Sequence, residues 1–449
     1  MGRADSTVSC LTVRSAATSA ESCPALLTVR RIWYADARIR GAMLVVLVAS
    51  IVARVLLAHS ARPVLISDGR DYYRLAENLA AGRGYVQVYD GESLAPFNGF
   101  PLRAFRSPGY PALMAGLYSI FGWRPGVYLG TNLAADLVTE GCALLIAAYL
   151  FGAGAALVAQ VLVAAHVLWM PNPMTESVYA ALFALIALML VMGLPFRNWA
   201  AALAFGLVVA AALFVRPITV CIVPALLLAA WKHVRRNARV LVLVGLALAP
   251  SVAATLCWAW RNYRVLGDPV LFTTSFGHHN APDYGIAGDQ VFTQLRAEGL
   301  NEAQINRELI RMEMSIAARH PFAFFMTWLT RAASLFSLKP PWEVRDLLWT
   351  RIFPLTPPSL VATAYRWSCN QYCITYALAA CGVVVLAWKR RLGGLGTLAC
   401  LYVAIHALLS RGDLRLAAPL YPLMCVVIGG LAAVIGQHLK KQPHATAGS

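Results

Sequence analysis

Residues 199–239 read WAAALAFGLVVAAALFV, then RP, then ITVCIVPALLLAAW, then KHVRRNAR. Two apolar runs are parted only by Arg216-Pro217, and a basic cluster closes the second. Pro217 has no backbone N–H and breaks helical continuity, while Lys232–Arg239 is the kind of cationic anchor that stays on the cytoplasmic side of a membrane. The stretch therefore reads as two successive membrane helices. Composition extends that reading to the whole chain: of 449 residues 59% are hydrophobic, only 13% are charged, and the mean hydropathy is +0.61. A soluble domain carries roughly a quarter charged residues. So few charges leave a water-facing surface uncovered, and the expected class is an all-α polytopic membrane protein.

Similar runs lie at 42–59, 127–150, 153–171, 177–194, 217–231, 240–258, 369–388, 395–410 and 416–436. With 199–215 they give about ten spans, within a range of about nine to thirteen, since a span takes about 20 apolar residues. The run 108–121 starts with two prolines and is expected to be interfacial or re-entrant; 321–338 is expected to be a juxtamembrane helix. Six spans separate the anchors Arg38–Arg40 and Lys232–Arg239, so both fall on the cytoplasmic side, as do Lys389–Arg391 and Lys440–Lys441. Parity then sends the long polar loops 60–126 and 259–368 to one extracytoplasmic face, with the tight loops 172–176, 215–217 and 411–415. Residues 1–41 have no signal-peptide core and are expected to be a disordered cytoplasmic tail. The transmembrane catalytic domain is placed at 42–436, with loop 60–126 catalytic, loop 259–368 facing substrate, and a second cytoplasmic tail at 437–449.

The net charge of +17 does not point to nucleic acid, because the basic residues sit in short clusters between apolar runs. The ten cysteines are scattered; Cys369 and Cys373, i and i+4 at an expected helix start, have no second pair at zinc spacing. No cofactor is expected, and nothing indicates a divalent metal. His278-His279 is compatible with substrate or metal, although paired loop histidines are usually just solvated; His166 and His406 read as packing residues. Asp136 and Glu140 share one helix face inside an apolar run and should either line a cavity or pair with Arg216 or Arg261.

The richest polar stretch is Ser67-Asp68-Gly69-Arg70-Asp71-Tyr72-Tyr73-Arg74-Leu75-Ala76, followed by Arg106-Ser107-Pro108-Gly109-Tyr110-Pro111. On its own, Asp68 is a helix N-cap for 69–80. The spacing Asp-x-x-x-Tyr-x-x-x-Ala followed by Arg-x-Pro-x-Tyr-Pro resembles the GT-C membrane glycosyltransferases. The nearest branch is the bacterial, glycosyltransferase family 39-like set similar to protein O-mannosyltransferases and the lipid A aminoarabinose transferase. The resemblance implies that Asp68 is the catalytic acidic residue, that Tyr72 and Ala76 fill the matching offsets, and that Arg106 helps to hold a lipid phosphate. Gly69 departs from the Asp-Glu pair that many members carry. Weaker likenesses follow in order: Pro171–Glu176 for a second acidic loop, Arg216-Pro217, Trp260–Tyr263, His320-Pro321, and Arg415–Pro419.

The implied chemistry moves a sugar from a polyprenyl phosphate to an acceptor hydroxyl with inversion, on the outer face of the cell membrane. Charge grows on the leaving phosphate, and forked guanidinium donors suit it; Arg106, Arg216, Arg261, Arg411 and Arg415 are the candidates, with Tyr72 beside them. The acceptor hydroxyl needs a base: Asp68 first, with Asp71, Glu176 and Asp136 as acidic partners. Expected partners are a polyprenyl-phosphate-linked sugar, an acceptor glycan, lipid or protein, and membrane lipids. No Walker A or dinucleotide-binding glycine pattern is present. The rival reading is a transporter or flippase for lipid-linked sugars. Against it stand the one-sided distribution of polar residues and the lack of paired, pseudo-symmetric halves.

Overall fold

The computed structural model describes residues 28, 32, 34–60, 65, 67–89, 95–166, 174–234, 237–336, 358–410 and 414–439. Within them the chain forms sixteen α-helices and no strand, so the protein is an all-α polytopic membrane protein. In chain order these are α1 Ala37–Ser60, α2 Ser67–Ala80, α3 Gly109–Phe121, α4 Pro125–Phe151, α5 Ala153–Ala164, α6 Thr175–Val191, α7 Trp199–Val215 and α8 Ile222–Val234. Then follow α9 Arg239–Leu266, α10 Phe276–Asn280, α11 Gly288–Ala297, α12 Glu302–Arg319, α13 Pro321–Ser334, α14 Pro358–Trp388, α15 Gly393–Leu409 and α16 Tyr421–Leu439.

Among the described residues five helical stretches are long and apolar enough to cross a membrane, Ala37–Leu56, Pro125–Phe151, Arg239–Leu266, Asn370–Trp388 and Leu416–Leu439, and five shorter apolar helices accompany them. Together they are the ten runs that the sequence marks as spans. The two uncounted runs, α3 with 13 residues and α13 with 14, belong to neither group. Exposed side chains on the long helices are apolar, among them Leu44, Val45 and Leu56 on α1, Leu241, Val242 and Leu256 on α9, and Val384 and Trp388 on α14. That is the inverse of a soluble surface and suits contact with lipid.

Close packing inside the bundle depends on small residues. α6 lies at its centre, buried without interruption from Thr175 to Ala181. At Gly429 of α16 a Cβ would come within 2.4 Å of the Ala155 carbonyl oxygen, and at Gly206 of α7 within 2.5 Å of that of Ala247. Membrane helices gain little from apolar transfer between neighbours, so such backbone contact is what holds them together.

Several sequence boundaries move. The expected span 240–258 continues to Leu266, because Asn262 is fully buried and its side-chain amide donates to the Val270 carbonyl. At 28 residues α9 is about 42 Å long, so its last turns leave the apolar slab. The expected span 153–171 is helical only to Ala164, and 167–173 lie outside the described residues. Cys369 and Cys373 are not at a helix start: α14 begins at Pro358. The expected tails fall mostly outside the described residues, as do Lys440 and Lys441.

The two long polar segments pack on each other. Tyr89, Phe97, Leu102 and Phe105 from the first form one apolar core with Ala281, Phe292, Leu295, Ile305 and Leu309 from the second. They therefore sit at the same end of the bundle, as span parity requires.

Candidate active site

The site begins with α2. Its charged and apolar residues segregate to opposite faces, and Leu75 and Ala76 are buried while Asp68 sits in its first turn. Asp68 is thus inside the helix and not its N-cap, contrary to the local reading, and its carboxylate is taken up elsewhere. Arg106 Nη2 donates to Asp68 Oδ1 at 2.6 Å and to Asp71 Oδ2 at 2.8 Å, and Arg106 Nε reaches the same Asp71 oxygen at 3.1 Å. The other Asp71 oxygen accepts from Gln87 Nε2 at 2.7 Å. Asp71 is nearly closed off, its side chain 5% exposed, whereas that of Asp68 is 20% exposed. One guanidinium thus serves two carboxylates, and the more open of them is Asp68.

Burial works against the charge on Arg106, but Asp68 and Asp71 overcome it and raise its pKa well above the ordinary value. Burial also raises the Tyr89 phenol, and Asp71 adds to the shift. The guanidinium lies 5.9 Å from the ring centre of Tyr72 and 5.3 Å from that of Phe105, cation–π contacts that fix its plane.

A second ion pair joins Glu176 and Arg216. Arg216, in the break between α7 and the turn Pro217–Cys221, donates through Nη2 to Glu176 Oε1 at 2.7 Å and through Nε to Thr175 Oγ1 at 2.9 Å. Burial raises the Tyr72 phenol, and the charges of Arg106, Asp68, Arg216 and Glu176 all act on it, so both ion pairs are felt by one hydroxyl. Gly109 makes the approach possible. A Cβ there would meet the Phe214 carbonyl carbon at 2.5 Å and the Val215 nitrogen at 2.8 Å, immediately before Arg216.

The remaining candidates are placed elsewhere. Arg261 donates to the carbonyls of Arg103 at 2.6 Å and Tyr85 at 2.9 Å, and lies 5.0 Å from the Trp258 ring. It ties α9 to the first polar segment and makes none of the ion pairs above. Asp136 and Glu140 do not pair with Arg216 or Arg261. They face Arg54 of α1, at 3.4 Å and 3.9 Å, and Glu140 also accepts from Ser50 at 2.6 Å and Gln160 at 3.0 Å. Arg54 is 1% exposed and also reaches the Val163, Ala164 and His166 carbonyls. Arg54, Asp136, His166, Glu176 and Tyr421 line a cavity of about 30 Å³, which Asp68 does not line. Arg411 and the side chain of Arg415 lie outside the described residues.

His278 pairs with Asp289 at 2.7 Å, its ring against Phe97. Among the described residues no three His, Cys, Asp or Glu side chains gather at metal-binding distance. His166 stacks on Tyr421 at 4.0 Å, and His406 on Tyr402 at 5.6 Å, both in packing roles. Gln87, Arg54 and Glu302 escaped the sequence reading. Arg54 alone had a usable signal, being the single charge between Gly41 and Ala58.

No protein-family model and no curated protein matches the chain. Solved structures do. The oligosaccharyltransferase of Archaeoglobus fulgidus, tethered with an acceptor peptide containing the NVT sequon, superposes with a TM-score of 0.52 over 91% of this chain and 50% of its own, at 14% identity. AglB from Archaeoglobus fulgidus, in complex with an inhibitory peptide and a dolichol-phosphate, also gives 0.52, at 13% identity, over 90% and 52%. The chain shares the fold of these GT-C superfamily structures. It spans about half the length of those oligosaccharyltransferases. ArnT from Cupriavidus metallidurans, bound to undecaprenyl phosphate, aligns over 90% of this chain and 81% of its own, but its TM-score of 0.40 at 13% identity is too low to argue from. At these identities the likeness is one of fold, and the residues must speak for the chemistry.

Proposed function

We propose that this GT-C chain is a membrane glycosyltransferase that moves a sugar from a polyprenyl-phosphate donor to an acceptor hydroxyl on the extracytoplasmic face. The observation that carries the reading is the cluster of Asp68, Asp71 and Arg106, whose charges act on the Tyr72 phenol together with those of Glu176 and Arg216. Carboxylates and guanidinium groups meet there at the end of the bundle where the two polar segments pack.

Asp68 is the general base, being the more open carboxylate. It takes the hydroxyl proton as the acceptor oxygen attacks the anomeric carbon from the face opposite the phosphate. The bond from that carbon to the phosphate oxygen breaks, its electrons stay on the phosphate, and the configuration inverts. Arg106 has two tasks: its fork holds Asp68 and Asp71 in register, and its charge faces the phosphate as negative charge grows there. Asp71, tied to Gln87 and Arg106, is a support for the base. Glu176 and Arg216 hold the second wall. The donor arrives already activated, so no nucleotide site is required.

The test is sugar transfer in proteoliposomes supplied with a polyprenyl-phosphate sugar. Asp68→Asn keeps the shape and one hydrogen-bond acceptor but removes the base, and should lower turnover by about 10²–10⁴-fold. Full turnover by that variant would overturn the assignment.

A further inference from the structure

The segment that carries Arg106 has almost no regular structure of its own, yet its backbone is bound at nearly every position. Leu102 exchanges two hydrogen bonds with Gln87, both 2.8 Å. The Arg103 carbonyl accepts from Arg261, the Ala104 carbonyl from the Thr274 N–H at 2.9 Å, the Phe105 carbonyl from the Thr273 hydroxyl, and the Arg106 carbonyl from the Tyr85 hydroxyl at 2.8 Å. The N–H groups of Arg103 and Ala104 both donate to one atom, Glu302 Oε1, at 2.6 and 2.7 Å. The other Glu302 oxygen accepts from the Thr274 hydroxyl at 3.1 Å.

Glu302 is the first residue of α12 and only 2% exposed. Asn301 and Gln304 form a capping box whose bonds do not involve Glu302, and the neighbouring Ala303 packs on Ala104 and Leu266. Burying a carboxylate is costly, and two backbone N–H groups are ordinarily satisfied by a neutral acceptor or water. Burial raises the Glu302 carboxyl to about 7, even though those N–H groups, Thr274 and Arg261 all favour its charge. A costly group clamping two amides just before Arg106 has a more specific task than closing a loop.

We propose that Glu302 is a positioning residue for the transfer reaction: it sets the place of Arg106, and through Arg106 the register of Asp68 and Asp71. The second polar segment thereby controls the geometry of the first. This rests on the function proposed above, in which Arg106 meets the donor phosphate.

The experiment compares five variants in the full-length, membrane-reconstituted protein. Glu302→Ala strips both N–H groups of their acceptor and should lower kcat/KM for the polyprenyl-phosphate sugar about tenfold. Glu302→Gln keeps an oxygen in the same place and should restore most of that loss. Asn301→Ala weakens the same helix end without touching Arg103 or Ala104 and should leave transfer near wild type once the loss in melting temperature is matched. In an Arg106→Lys background, which keeps the charge but loses the fork, Glu302→Ala should cost little more, because both changes act through one guanidinium.

Full additivity, or an equal loss in Asn301→Ala, would overturn the proposal. A wild-type protein that transfers no sugar from such donors would instead defeat the functional reading. Amide hydrogen exchange then decides the matter without activity. Residues 103–106 should exchange faster in Glu302→Ala than in Asn301→Ala, with α4 and α6 unchanged, and unchanged exchange at 103–106 sinks the clamp.

Discussion

Arg54 shows what a single side chain costs and supports inside this bundle. It lies in an apolar run, is 1% exposed, and faces two carboxylates, Asp136 and Glu140, 82 and 86 residues further along the chain. Removing one member of such a cluster leaves charges stranded where water cannot reach them. Arg54→Leu should therefore destabilise the protein by about 3–5 kcal/mol, read as a fall in melting temperature in detergent. A triple change that also replaces Asp136 and Glu140 with leucine should recover most of that loss, and failure to recover would mean that Arg54 acts by shape and not by charge. Part of this was legible. Two carboxylates spaced i, i+4 in an apolar run announce a buried partner, and Arg54 is a lone charge in another such run. Which arginine pairs with them is a matter of how α1 and α4 lie in space, and no spacing along the chain reports that. The same limit applies to Glu302, whose sequence context is that of any helix start.

Among the elements, α3 is the one whose placement decides the site. It is not among the ten apolar helices that match the expected spans, and its entry residue touches the backbone of α7 at Phe214 and Val215, immediately before Arg216. Gly109→Ala puts a methyl group where the Phe214 carbonyl carbon stands 2.5 Å away, so α3 or the end of α7 has to shift. Because displacements of about 1 Å near reacting groups can cost about 10²-fold, the variant should lose at least about tenfold in turnover while its helical circular dichroism stays unchanged. Wild-type turnover would mean that the two ion pairs need not be held together. The prolines at 108 and 111 marked this run as irregular in sequence; the contact itself is tertiary and left no local trace. Helix ends were similarly misjudged where tertiary contacts extend them, as Asn262 does for α9.

At the scale of the molecule, ten apolar helices carry a polar layer at one end, in which residues from both long segments share a core. If that layer faces away from the cytoplasm, a cysteine at exposed Glu298 should react with a membrane-impermeant maleimide from outside intact cells. One at exposed Asn237 should react only after permeabilisation. The background would have the exposed Cys257, Cys381 and Cys400 replaced. Both positions reacting from the same side would mean that α9 does not cross, and reaction of position 237 from outside would undo the six-span count between the basic anchors. That count was readable because lipid thickness imposes length and charge sets direction, rules that act on the chain locally.

The shared core of the polar layer also sets an order of events during synthesis. Tyr89, Phe97 and Phe105 leave the ribosome early, but Phe292, Ile305 and Leu309, against which they pack, emerge about 200 residues later. At about 5–20 residues per second the aromatic half of that core waits on the order of 10–40 s without its other half. Cells making this protein must shield those rings from proteases and from neighbouring chains for that interval. A truncation that ends before α11 should be cleared quickly however well its first helices insert.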